Sequence, residues 1–166
     1  MDVDDAIRER RTLKAFTDEP VEPALLRELL ELAVFAPNHH RTEPWRFVVL
    51  GPRTISRLAE QTGDPKLLRS ATAIVVGQAV DADPATAEED YAACACAIYA
   101  LMLAARSRGL ASYWRTPKAL HHEAAAPLLD LAEGVRPVGI VHLGRAAEPW
   151  PAPPPRAADP YATWLP

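Results

Sequence analysis

The sequence predicts an α+β protein, a mixed central sheet with helices on both faces, on three observations. Short apolar runs bounded by turn residues recur at 47–50, 71–80, 111–114 and 138–143, as buried strands do. Segments with helical spacing of apolar residues alternate with these runs. One helical segment, 88–108, is apolar on every side between Tyr91 and Ala105, which predicts a helix buried at the centre of the core. Interleaved helices and strands around such a helix give a layered sheet.

Each element follows from local chemistry. Residues 2–11 form a short helix with Val3 and Ile7 on one face. Pro23 suits the first turn of a second helix, in which Leu25, Leu26, Leu29, Leu30, Ala33 and Val34 make one apolar stripe, and Pro37 ends it. Residues 38–43 are polar and without period, hence a loop. Phe47 to Leu50 begin the sheet before Gly51-Pro52, and Ile55, Leu58 and Ala59 mark the helix that follows. Asp81-Ala82-Asp83-Pro84 closes the second strand, Gly109 caps the long helix, and a weaker helix at 123–131 separates the last two strands. Trp45, Phe47, Tyr91 and Tyr99 read as packing residues, and His142 as a core histidine. The whole chain, 1–166, reads as one domain, with 149–166 as a proline-rich C-terminal arm. Prolines keep that arm extended. Tyr161, Trp164 and Leu165 at its end call for a surface to bury against.

Composition narrows the function classes. With 49% hydrophobic residues the chain fills a core, and a net charge of -4 argues against a nucleic-acid partner. The acidic start carries no leader pattern, and the apolar part of 88–108 is too short and too charge-flanked to span a bilayer, so a cytoplasmic protein is expected. Cys94 and Cys96 would point about 200° apart on a helix and cannot pair. No metal site is expected, because His39-His40 and His121-His122 are adjacent pairs without helical ligand spacing.

Two segments carry chemistry. Arg10-Arg11-Thr12-Leu13-Lys14 gathers three cations and a hydroxyl at a helix end. From the residues alone this reads first as a solvated basic face that offsets the helix dipole, and second as an anion site with forked guanidinium donors. The loop Ala36-Pro37-Asn38-His39-His40-Arg41-Thr42-Glu43-Pro44-Trp45-Arg46-Phe47 lies between a helix and a buried strand, where ligand contacts are common.

Taken together these segments resemble the nitroreductase family of FMN-dependent enzymes, in its small YdjA-like branch. Residues 10–16 match its Arg-Arg/His-Ser-x-Lys/Arg-x-Phe motif, and Ala36-Pro37-Asn38 with Glu43-Pro44-Trp45-Arg46-Phe47 match the Ala-Pro-Ser loop and Gln-Pro-Trp-Arg-Phe strand. Tyr113-Trp114-Arg115-Thr116, the final strand through Gly144, and Asp159-Pro160-Tyr161 also resemble that branch. The likeness is thinnest between Gly51 and Thr86.

The resemblance implies a nitroreductase-like fold in an intertwined homodimer, with FMN at two sites built from both chains. It gives Arg10, Arg11 and Thr12 to the phosphate and ribityl end, and Lys14 to the pyrimidine edge, where a cation stabilises reduced flavin. Phe35 and His39 line the flavin, Trp114, Arg115 and Thr116 reach it from the partner protomer, and Arg145 is a further phosphate contact. The implied activity is NAD(P)H oxidoreductase, ping-pong hydride transfer through flavin N5 to a small organic acceptor such as a nitroaromatic or quinone. No catalytic side chain is assigned. A flavin carrier or sensor without turnover is the alternative, and an FMN-free scaffold a third. Two departures bear on this: Arg41 and Glu43 stand where the family often has amides, and they would either pair or alter the flavin site.

Overall fold

The computed structural model describes residues 1–165 and places a four-stranded sheet between two helical layers. The elements in chain order are α1 (Val3–Glu9), α2 (Pro23–Ala33), β1 (Trp45–Leu50), α3 (Pro52–Thr62), β2 (Thr72–Ala79), α4 (Pro84–Ser107), β3 (Ala111–Arg115), α5 (Ala125–Leu129) and β4 (Val135–Gly144). Strand order is β1-β2-β4-β3, so α4 carries the chain across to the far edge before β4 returns to the middle. All four strands pair antiparallel, where a mixed sheet was expected. The parallel pairing lies outside the named strands, in a bridge from Thr12 to Ser112 on the β3 edge.

The period-two alternation of β2 divides the core. Ile74 and Val76 face a cluster made with Leu26, Leu29, Ile98 and Leu101 of α2 and α4. Ala73 and Val75 face the other side, against Ile55 and Leu58 of α3 and Leu129 of α5. Each end of α4 has its own signal. Asp83 caps its N-terminus by accepting from the Thr86 amide at 2.8 Å, and Gly109 follows its C-terminus at φ +75°, a conformation that suits glycine. At Gly139 the demand is space: a Cβ there would sit 2.8 Å from the Arg115 carbonyl and against the Trp114 ring.

Some expectations need revision. The α4 centre is not covered all round: Tyr91, Cys96 and Tyr99 are exposed, because α2 and the sheet cover only the opposite side. Cys94 is buried, so the two cysteines do point apart, and burial pushes its thiol up to about 12. Val3 and Ile7 of α1 are exposed, with Ala6 its buried residue. The arm lies against the protomer through Trp150, whose ring stacks on the Arg106 guanidinium at 4.1 Å. Beyond it Tyr161 and Trp164 remain 91% and 86% exposed, covered by no surface among the described residues. No helix among the described residues is long and apolar enough to cross a membrane.

Candidate active site

The basic segment is held on the sheet edge by its backbone. Arg10 caps α1, its amide donating to the Ala6 carbonyl, and the chain then turns to an extended path. Thr12 bridges Ser112, the Leu13 amide donates to the Ser112 carbonyl at 3.4 Å, and Phe16 bridges Ala146 just beyond β4. Arg10, Arg11, Thr12 and Lys14 therefore line the β3 edge, on the same chain as Trp114 and Arg115.

Two surroundings meet along this edge. On the α4 side, Glu9 pairs with Arg106, which fixes the end of α1 against the C-terminal turn of the long helix. Next to this pair a cavity of about 500 Å³ is lined by Arg8, Arg10, Arg11, Tyr99 and, from the arm, Pro153 to Arg156. The Nε atoms of Arg10 and Arg11 are buried without a hydrogen-bond partner. Four arginines on one cavity, with their forked donors, fit an anion such as a phosphate.

On the α3 side, the Lys14 ammonium lies 5.7 Å from the centre of the Tyr113 ring, which stacks on His142 at 5.9 Å. Arg69 donates to the Lys14 carbonyl at 3.2 Å, and Arg115 pairs with Asp64 at 2.8 Å. His142 is fully buried, with Nδ1 2.9 Å from Ser70 Oγ. Ser70 donates its proton to the Thr72 carbonyl at 2.7 Å, so the assigned tautomer has His142 donating from Nδ1 while Nε2 stays bare. Burial, reinforced by the Arg115 and Arg69 charges and opposed by Asp64, holds His142 down to about 4. It is a neutral core histidine with half of its hydrogen-bonding capacity met.

The remaining expected site residues lie elsewhere in the protomer. Phe35 is 85% exposed, and His39 bonds Glu89 through Nδ1 at 2.6 Å, at the N-terminal end of α4. Glu89 and Arg106 are separated along that helix by roughly 25 Å at 1.5 Å per residue, so Phe35 and His39 do not reach the arginine cavity of their own chain. Thr116 borders a separate open depression with Tyr91, His121 and Arg136. Arg145 sits 3.7 Å from Glu19 on the surface and does not line the arginine cavity. Arg41 and Glu43 form no ion pair among the described residues, since left-handed backbone at His40, Arg41 and Glu43 turns the loop tightly, with the Glu43 amide donating to Asn38. The strand that carries Trp114 and Arg115 adjoins the basic segment within one chain, and the remote group is Phe35 with His39.

Sequence reasoning missed Arg156, Arg8, Arg69 and Tyr113. Arg156 had a faint signal, one cation directly after Pro153-Pro154-Pro155, but its meeting with Arg10 depends on where Trp150 anchors the arm.

The chain is thus a layered α+β domain with a cationic sheet edge. The Nitroreductase family profile matches residues 7–64 and 58–145, and the chain belongs to that family of oxidoreductases. It is 29% identical over 159 residues to the Bacillus subtilis protein named "Putative NAD(P)H nitroreductase YfhC", covering 84% of this chain and 82% of the relative. Among solved structures, the nitroreductase-like family protein of Bacillus cereus superposes with a TM-score of 0.86 at 26% identity, over 99% of this chain and 96% of that one. The FMN and NADPH-dependent nitroreductase NfnB of Sphigopyxis sp. strain HMH has a TM-score of 0.84 at 18% identity, over 99% of both chains, a likeness of fold.

Proposed function

We propose that this protein is an FMN-dependent NAD(P)H oxidoreductase, working as a cytoplasmic homodimer on a small organic acceptor such as a nitroaromatic or quinone. Its one flavin-binding domain would span 1–166, with 149–166 as the arm. The observation that carries this reading is the convergence of Arg8, Arg10, Arg11 and Arg156 on one cavity at the sheet edge. The relative NfnB is FMN and NADPH-dependent by name, which supports the choice of cofactor.

Arg10, Arg11 and Arg156 would hold the phosphate, and Thr12 the ribityl chain. Lys14, backed by Tyr113, would stand at the pyrimidine edge, where its charge favours the reduced cofactor. Trp114 and Arg115 would flank the site from the same chain. Phe35 and His39 would enter from the partner: an aromatic ring left 85% exposed on one protomer is covered when a second completes the site. FMN, when bound, supplies two-electron chemistry, accepting hydride from NAD(P)H and passing it to the second substrate. The protein's share is binding, orientation and charge, so no side chain of this chain needs to act as nucleophile.

The test is direct. The purified protein should take up FMN and show flavin absorbance, and rapid mixing with NADH or NADPH should bleach it within the turnover time. A flavin-loaded protein that neither nucleotide bleaches would instead be the carrier or sensor that the charged Arg41 and Glu43 loop motivates. A protein that stays colourless with added FMN would be a scaffold.

A further inference from the structure

We propose that His39, His40 and Glu89 form a surface site for a divalent transition metal, with Zn²⁺ as its natural probe. One imidazole nitrogen from each histidine and one carboxylate oxygen lie within 4.8 Å of one another. Adjacent residues seldom ligate together, because successive side chains diverge on helix or strand. Here the backbone removes that obstacle. His40 is left-handed at φ +58°, which folds its ring back over His39 at 3.7 Å between centroids and 27° between planes. Arg41 follows at φ +54°. Such conformations are costly for residues with side chains, and they concentrate at ligand clamps.

The loop is also fixed from below. Thr42 donates to Asp90 and Asn38 donates to Thr42 at 3.0 Å, while Glu89, the neighbour of Asp90 on α4, presents its carboxylate to His39 at 2.6 Å. The two exposed rings must unstack and turn about χ1 and χ2 before both in-plane lone pairs and the carboxylate reach the about 2.0–2.2 Å required by zinc, with water in the fourth position. Two imidazoles and one carboxylate select a borderline metal over Mg²⁺ or Ca²⁺, which prefer oxygen shells. Ligation through Nδ1 would replace the His39–Glu89 hydrogen bond, with the imidazole proton carried on Nε2.

The site stands apart from the flavin reading in His40 and Glu89 and shares His39 with it, so metal binding is measured on flavin-loaded and flavin-free protein alike. Tag-free, chelator-treated protein is titrated with Zn²⁺ by calorimetry. One Zn²⁺ per chain is expected, with no matching heat from Mg²⁺. His40→Ala and Glu89→Gln should each weaken Zn²⁺ binding tenfold or more while unfolding at the wild-type temperature, since both side chains are exposed. The other histidine pair serves as control, and His121→Ala/His122→Ala should bind as wild type. Saturable binding that survives both single substitutions, loss of binding only in the control pair, or no saturable Zn²⁺ heat in the wild type would each overturn the site.

Discussion

Thr12 and Ser112 meet in a parallel bridge, and that contact converts a run of charges into a structured edge. Without it, Arg10 to Lys14 would be a frayed helix end in solvent. With it, the segment lies on β3, Lys14 comes over Tyr113, and the end of α1 comes under the arm.

Arg10→Ala and Arg156→Ala should each loosen FMN about tenfold or more. Each removes a charge-assisted hydrogen bond of roughly 1.5–3 kcal/mol to the phosphate. Arg145→Ala should bind as wild type, since that side chain lies beside Glu19 and outside the arginine cavity. Fluorescence titration of apo-protein with FMN ranks the three. Equal losses in Arg145→Ala would move the phosphate to the other side of the β4 end.

Lys14→Ala should keep most of its FMN affinity and lower the flavin's reduction potential, because the reduced form loses a nearby cation. Measuring the potential of the loaded variant against wild type decides this. An unchanged potential would mean that Lys14 serves as a surface cation over Tyr113 and nothing more.

Removing the chain after Glu148 deletes Trp150, Arg156 and the exposed Tyr161, Trp164 and Leu165. Covering such apolar side chains on a partner contributes on the order of 1.5–3 kcal/mol each. Truncation should therefore weaken dimerisation and flavin retention together, as read by sedimentation and by flavin content. A truncated protein that remains dimeric and fully loaded would show that the arm has neither role.

His142 gives a pH prediction with a definite sign. Its folded value, about 4, lies below the ordinary 6.5, so the unfolded chain binds the proton first as pH falls. The contribution is whole above pH 6.5 and is lost as pH drops towards 4, at most about 3 kcal/mol by linkage. Urea unfolding between pH 7 and 4 should show wild-type stability falling more steeply than that of His142→Gln. Parallel slopes in the two proteins would mean that His142 titrates normally in the fold.

The sequence by itself determined the elements and the chemistry of the rim. Short apolar runs between turn residues and helical spacing located four strands and the helices between them, because burial leaves a local pattern that each segment carries. The cation run and the Ala-Pro loop likewise declared their types, since charge and proline act through their immediate neighbours. Tertiary structure decided which of these types meet. Whether Arg10 joins Arg156 or Arg145 depends on an arm anchored by Trp150 on Arg106, some forty residues along the chain from that cation. Likewise the α4 face bearing Tyr91, Cys96 and Tyr99 reads as core in sequence yet stands open in the protomer. Apolar composition records that a face is to be covered. Only packing over long sequence separations settles what covers it, and for Phe35 and His39 that same separation, the length of α4, keeps them from the cations of their own chain.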